Sequence, residues 1–445
     1  MAIFRGFSNV TKIPELRRRI AFTLGVLVVY RMGVFITLPG VDRDVMASVM
    51  RGQSGGLLNL VNMFSGGALE NLSIFALGIM PYISASIIMQ LMGMVSKQVE
   101  ELRKEGESGR RKIEQFTRYG TVVLSAFQGF GVAMWLEGIN NQDVGGGRFA
   151  DVVGEPGWGF RLMTMLTLTT GTALIMWLGE QATERGIGNG ISIIILASIV
   201  SSIPSSVTQY LAANAGQLQP LTLMVVLGIF LLLTATVVFF ERAQRRIPIQ
   251  YARRQVRRRV YGGQTAHLPL KVNMASMIPP IFASSLLMFP ATLANFGVPG
   301  MQAFSAVLSG GTWEFNVLFA ALIIFFAFFY TAVTFQPVDV ADNLKKQQAN
   351  IPGIRPGRHT AEYIDRVVSR VTVGGSTYLA AICIVPAIIS QMFRMPFQFG
   401  GTSLIIVVGV ALETVNQIEA HLISRSYEGL TGPTGAGLSG RRAGA

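Results

Sequence analysis

The sequence predicts an all-α polytopic membrane protein, with ten transmembrane helices in two inverted five-helix halves. Three observations predict it. Half of the residues are apolar and only 14% are charged, with a mean hydropathy of +0.47; soluble domains carry about 25% charged residues. Apolar stretches near the roughly 20 residues that span a bilayer recur along the chain. Two short motifs also occur twice, in the same order and about 200 residues apart: Pro81-Tyr-Ile-Ser-Ala-Ser86 with Pro279-Pro-Ile-Phe-Ala-Ser284, and Gly190-Ile-Ser-Ile-Ile-Ile195 with Gly401-Thr-Ser-Leu-Ile-Ile406. Weak internal repetition in a membrane protein points to a pore or binding site at the interface of two halves.

Ten spans are expected at roughly 20–38, 72–95, 116–136, 160–180, 187–209, 219–240, 272–296, 313–336, 371–392 and 401–422. They must be helices, because lipid offers no partner for a backbone polar group. The halves are expected at 20–212 and 213–424, flanked by an N-terminal segment 1–19 and a tail 425–445. Arg17-Arg18-Arg19 before the first apolar run resembles a signal peptide, but no small-residue cleavage site follows, so this run is read as the first span. An even number of spans puts both termini on one side, and five per half makes the halves opposite in topology.

Basic residues set the orientation. Of 37 Lys and Arg, 31 fall on one side: the N-terminus, the loops at 96–118, 181–186, 241–271 and 337–370, and the tail. Arg43, Arg51, Arg148, Arg161 and Arg394 fall on the other, and Arg31 lies within the first span. The crowded side is therefore cytoplasmic. Leu57 to Phe64 is apolar but too short to span, and Ser65-Gly66-Gly67 breaks it. It reads as a re-entrant half-helix entering a cavity, or as an amphipathic surface turn.

Several chemistries are missing. His267, His359 and His421 show no metal-ligand spacing, and Gly186-Ile-Gly-Asn-Gly190 lacks both GxGxxG spacing and a preceding strand. The span centres nearly lack ionisable residues. Glu180 and Glu413 lie toward the cytoplasmic ends and Arg31 toward the outer end, which suits snorkelling or interhelix pairing better than a proton relay. Cys383, the single cysteine, reads as a small buried hydrophobe. Ala85, Ser86, Ala283, Ser284 and Ser285 would let helices approach closely.

Two cytoplasmic loops stand apart. Glu241 to Tyr261 holds eight arginines alternating with apolar residues. Ile351-Pro-Gly-Ile-Arg-Pro-Gly357 is a rigid turn with Arg355 at its tip. Positive charge can fix topology or attract anionic headgroups, while clustered arginines also suit phosphate recognition, ribosomal RNA included, or a large acidic protein.

These residues resemble the SecY family, the channel subunits of the bacterial Sec protein translocase. The resemblance covers roughly residues 12–424. It rests on Phe75-Ala-Leu-Gly-Ile-Met-Pro-Tyr-Ile-Ser-Ala-Ser86, Glu184-Arg-Gly-Ile-Gly-Asn-Gly-Ile-Ser192, Arg245-Arg-Ile-Pro-Ile-Gln-Tyr-Ala-Arg253, Leu268-Pro-Leu-Lys-Val-Asn-Met274, Ile351 to Gly357 and Gly400-Gly-Thr-Ser-Leu404. The Gly-rich outer loop near 144–159 and the tail after Tyr427 depart from the pattern.

The resemblance implies a central hourglass pore between the halves. It implies an apolar ring of Ile79, Ile83, Ile191, Ile195, Ile281 and Ile406. Such a ring can exclude ions by dewetting and offers a passing chain no hydrogen bonds. It further implies a plug over about 57–71, including Leu57, Asn59, Met63, Phe64, Gly66, Gly67 and Asn71, with Gly66 and Gly67 as a flexible break. A lateral gate would part the second and third spans from the seventh and eighth, admitting signal sequences and membrane segments to lipid. Arg246, Arg258 and Arg259 would face a ribosome, and Arg355 the SecA motor ATPase. SecE and SecG would be membrane partners in the bacterial inner membrane. Unfolded polypeptide would be the substrate, with no cofactor and no catalytic residue. The alternatives are an ion-coupled secondary transporter with an inverted repeat, which should carry carboxylates or unwound polar backbone at mid-membrane, and a lipid or peptide flippase, which should carry a polar groove.

Overall fold

Helix dominates this chain because backbone in hydrocarbon must bond to itself. The structure, a computed structural model, describes residues 14–43, 45–46, 62, 65–140, 152–213, 220–251, 254–256, 259–261, 265–295, 312–392 and 401–431. Its helices are α1 (Pro14–Gly33), α2 (Met80–Val95), α3 (Lys97–Lys104), α4 (Glu107–Ile139), α5 (Trp158–Arg185), α6 (Gly190–Ala213), α7 (Pro220–Arg242), α8 (Ile278–Asn295), α9 (Trp313–Thr334), α10 (Pro337–Lys346), α11 (Arg358–Met392) and α12 (Gly401–Thr431). Among the described residues α4, α5, α9, α11 and α12 are long and apolar enough to cross a membrane.

Two helix bounds differ instructively from expectation. The second apolar segment is helical only from Met80, not from 72. Leu72 and Gly78 take positive φ (42° and 56°), which a right-handed helix cannot contain, and Pro81 sits in the first turn of α2, where its missing N–H costs nothing. α4 has 33 residues, about 50 Å at 1.5 Å per residue. It therefore runs well past the expected 116–136, starting in the charged stretch Glu107 to Lys112.

The chain divides into two compact units. Among the described residues, those up to 203 and from 410 onward form the first, and 204–409 form the second. In the first unit α4 packs on α2 and α5, and α5 on α1. Gly129 allows the α4–α5 approach: a Cβ there would stand 3.3 Å from the Met165 Cα. Tyr30 of α1 stacks on Phe75 at 5.8 Å between ring centres. Leu16 and Ile187 pack with Ile20, Ile418 and Leu422, so the last helix returns to the first. The segment after α1 pairs with two others. Thr37 bridges Ser73 and Val41 bridges Val153, supported by Leu38 N to Leu72 O at 2.8 Å and Asp42 N to Val152 O at 2.9 Å.

In the second unit α9 packs on α8 and α11, and α7 on α11, with Phe240 stacked on Tyr378 at 4.2 Å. The loops at 241–271 and 337–370 hold strands, which the sequence reading does not predict: β1 (Gln244–Tyr251), β2 (Arg254–Val256), β3 (Arg259–Tyr261), β4 (Thr265–Lys271) and β5 (Ala349–Asn350). The sheet order is β4-β1-β5, antiparallel, with Ile247 opposite Leu268 and Tyr251 opposite Ala349. β2 and β3 form a separate hairpin. The two loops that stand apart in the sequence are thus one body. Its core is Ile247, Ile249, Leu270, Leu344, Ala349, Ile351, Ile364 and Val368.

Ile364 is fully buried in that core. Ile364→Ala should destabilise the body by about 2–5 kcal/mol. Pulse proteolysis across a urea series should show earlier cleavage in 241–271 and 337–370 together; cleavage unchanged in one loop would break the claim of a shared core.

Candidate functional site

The six ring candidates lie at the starts of four helices. Ile79 is the N-cap of α2, and Ile83 donates its N–H to the Ile79 carbonyl at 3.1 Å, so the pair shares one helical face. Both are buried, as is Ile195 on α6. Ile191, also on α6, is half-buried and packs over Gly179 of α5, its Cγ1 2.9 Å from where a Cβ would stand. In the second unit Ile281 on α8 and Ile406 on α12 are buried, Ile406 completely.

The repeated motifs have a matching contact in each unit. Gly171 of α5 lies against the carbonyl of Ile74, nine residues before Ile83; Gly375 of α11 lies against the carbonyl of Val272, nine residues before Ile281. Gly190, opening α6, sits on the Gly179 carbonyl and Ala182; Gly401, opening α12, sits on the Ile382 carbonyl and the Cys383 Cα. A Cβ at any of the four would overlap backbone, so glycine is what lets each segment that bears or adjoins a ring candidate approach its neighbour. The sequence shows the repeated Gly190 and Gly401 but not their Gly171 and Gly375 counterparts, which lie outside the echoed motifs.

Of the plug candidates, Leu57, Asn59, Met63 and Phe64 lie outside the described residues. Gly66, Gly67 and Asn71 lie in a knit of turns that precedes α2. Gly66 and Gly67 have φ of 69° and 84°. Asn71 Nδ2 donates to the Gly67 carbonyl at 2.8 Å, Gly67 N to Asn62 O at 2.8 Å and Ser73 N to Ala68 O at 2.9 Å. The Ser65 hydroxyl donates to the Asn62 carbonyl at 3.0 Å. Two neighbouring helices reach into this knit. Tyr30 Oη of α1 donates to the Ser65 carbonyl at 3.0 Å and lies 2.7 Å from Ser198 Oγ of α6. Arg31 Nη1 donates to the Gly66 carbonyl at 2.7 Å and to Ser201 Oγ at 3.0 Å. Glu180, for its part, pairs with Arg118 between α5 and α4 at 2.7 Å.

The basic candidates lie in the second unit. Arg246 is exposed on β1, between the inward-facing Ile247 and the outward Arg245. Arg259 opens β3, and Arg258 lies outside the described residues. Arg355 is exposed at the tip of its turn. Gly353 and Gly357 flank it at φ 80° and 100°, Thr360 Oγ1 donates to its carbonyl at 2.9 Å, and Ile351 and Ile354 anchor the turn in the sheet's core. Arg246 and Arg355 therefore belong to one packed body.

The profile of the SecY family matches residues 73–415. This chain belongs to the SecY family. It is 49% identical over 422 residues to the protein translocase subunit SecY of Escherichia coli K12, covering 94% of each chain. To the Vibrio cholerae counterpart it is 48% identical over 425 residues, again covering 94% of each. Among solved structures it resembles a protein-conducting channel (TM-score 0.65, 17% identity, 92% of this chain and 93% of the other). It also resembles Sec61 in the canine ribosome–channel complex (TM-score 0.61, 16% identity, 92% and 93%). At those identities the likeness shows the fold. The family resemblance read from the motifs is thereby confirmed: a SecY protein is the channel subunit of a translocase and not an enzyme, and the transporter alternative finds no support.

The glycine contacts predict a selective sensitivity. Gly171→Val and Gly375→Val should each destabilise the chain by about 1–3 kcal/mol or more through overpacking. Gly228→Val on α7, where nothing lies within 4 Å, should change little. Thermal unfolding in detergent measures all three, and an equal loss in Gly228→Val would remove the contacts as the cause.

Proposed function

We propose that this chain is a passive, gated conduit for unfolded polypeptide. It would be built of ten spans in two inverted halves around an hourglass pore, in the bacterial inner membrane, with both termini cytoplasmic. The observation that carries the reading is the duplicated glycine–carbonyl contact. It seats the residue nine before Ile83 against Gly171 in one unit and the residue nine before Ile281 against Gly375 in the other. Two copies of one packing scheme support two related halves, each presenting apolar side chains at corresponding places.

The ring would be Ile79, Ile83, Ile191, Ile195, Ile281 and Ile406. Branched aliphatic groups there would close around a passing chain without gripping it and exclude ions when empty. Residues 57–71 would be the plug. A lateral gate between the second and third spans and the seventh and eighth would release apolar segments to lipid. SecE and SecG would be the membrane partners. The energy would come from SecA or a ribosome, docking on the basic loops that contain Arg246, Arg258, Arg259 and Arg355.

The test of the conduit is site-specific crosslinking from Ile83 to a secretory precursor stalled in active vesicles. Crosslinks are expected at Ile83 and absent from Phe230 on α7. With translocation active, no crosslink from any ring position would place the path elsewhere. A second measurement addresses docking. Arg355→Glu should lower SecA-driven export at least about tenfold, since a charge reversal at a phosphate- or carboxylate-facing arginine turns attraction into repulsion; normal export in reconstituted vesicles would remove the role.

A further inference from the structure

The pair Tyr30–Arg31 is a conspicuous polar intrusion in an apolar helix. An arginine within a span is costly and is retained where it has a task. Arg31 gives its hydrogen bonds to a backbone carbonyl and a hydroxyl, Gly66 O at 2.7 Å and Ser201 Oγ at 3.0 Å. Among the described residues no carboxylate forms an ion pair with it. Tyr30, one position earlier, holds the adjoining carbonyl of Ser65 at 3.0 Å and touches Ser198 Oγ at 2.7 Å. Two consecutive side chains of α1 thus grip two consecutive carbonyls of the turn, and two hydroxyls of α6 complete the site.

The turn itself is fitted to that grip. Gly66 is buried, and a Cβ on it would stand 3.0 Å from the Ser198 Cα and 3.3 Å from Ser201 Oγ. Its positive φ of 69° is one that residues with a Cβ rarely adopt. The neighbouring amides are already engaged within the turn, Gly67 N with Asn62 O and Asn71 N with Gly67 O. Downstream, Ser73 is bridged to Thr37. A segment held at this many points behaves as a fixed corner.

Ser198 lies three residues, and Ser201 six, beyond the ring candidate Ile195 on the same helix. Residues three apart on a helix are neighbours. A shift of α6 that moves Ile195 must carry Ser198 and Ser201 with it and strain their bonds to Tyr30 and Arg31.

We propose that Arg31, with Tyr30, Ser198 and Ser201, is a latch that seats the Ser65–Gly67 corner while α1 and α6 keep the sealed spacing, and that Gly66–Gly67 is a locked corner, not a flexible break. Arg31 is a positioning residue: it acts on the seal through the Gly66 carbonyl. The proposal rests on reading 57–71 as the plug.

The test uses the full chain in its translocase complex, reconstituted in vesicles, with two readouts. Amide exchange over residues 65–74 reads the latch alone. Losing a charge-assisted hydrogen bond should speed it roughly ten- to hundredfold in Arg31→Ala, with a smaller rise in Ser201→Ala. Arg31→Lys, which keeps a cation able to reach the carbonyl, should restore much of the protection. Resting ion conductance reads the seal and should rise in the same order. Exchange unchanged in both Arg31→Ala and Ser201→Ala would overturn the latch. Faster exchange with unchanged conductance would keep the latch but overturn the assignment of this corner to the seal. Should Arg31→Ala fail to assemble, Ser201→Ala and Tyr30→Phe carry the comparison.

Discussion

Every backbone polar group within a bilayer needs a partner inside the protein, and this constraint organises the chain. Most of the backbone meets it by forming helix. An exception among the described residues is the run from Ser65 to Ile79, which makes turns at the border of α2. There the carbonyls of Ser65, Gly66 and Gly67 are taken by Tyr30, Arg31 and Asn71, and that of Ala68 by the Ser73 amide. The cost of leaving helix is met by side chains placed for it, which is why Tyr30 and Arg31 occur where an apolar span would otherwise continue.

The same constraint explains two of the four close glycine approaches, those of Gly171 and Gly375. A carbonyl that ends or precedes a helix, such as Ile74 or Val272, cannot be covered by lipid. Backing it with the Cα of Gly171 or Gly375 shields it from hydrocarbon and brings two helices to a separation that side chains would forbid. Without a hydrophobic force between helices in lipid, close packing of this kind is what holds spans together. That the scheme appears in both units, at equal distance from Ile83 and Ile281, ties the packing to whatever those isoleucines do.

Much of this was legible before any coordinates. The echoed motifs single out Ile83, Ile281, Ile195 and Ile406, and all four are buried. Gly66 and Gly67 stand out as a break in an apolar run. Two things were hidden. The alternation of Ile247 and Ile249 with Arg246, Pro248 and Gln250 is a period-two pattern, the signature of a strand, yet the density of charge around it draws the eye to docking instead. The pairing of Tyr251 with Ala349 joins segments about a hundred residues apart, and nothing local in either announces the other. The start of α2 at Met80 was obscured for a related reason: hydropathy reports burial in lipid or protein, and the turns over 72–79 are as apolar as the helix they precede.

The chemistry that is missing then takes on a meaning. A conduit that only yields to a driven chain needs no group that changes charge at mid-membrane, and it benefits from having none, since each would bind ions or grip the substrate. Its moving parts must instead be biased by contacts that can be broken and remade at modest cost. Hydrogen bonds from one cation to a carbonyl and a hydroxyl, as at Arg31, fit that need better than an ion pair would. A buried ion pair that is pulled apart leaves two uncompensated charges, whereas a carbonyl and a serine released from arginine leave only one. Such a latch can hold a seal against thermal motion and still give way when α6 moves.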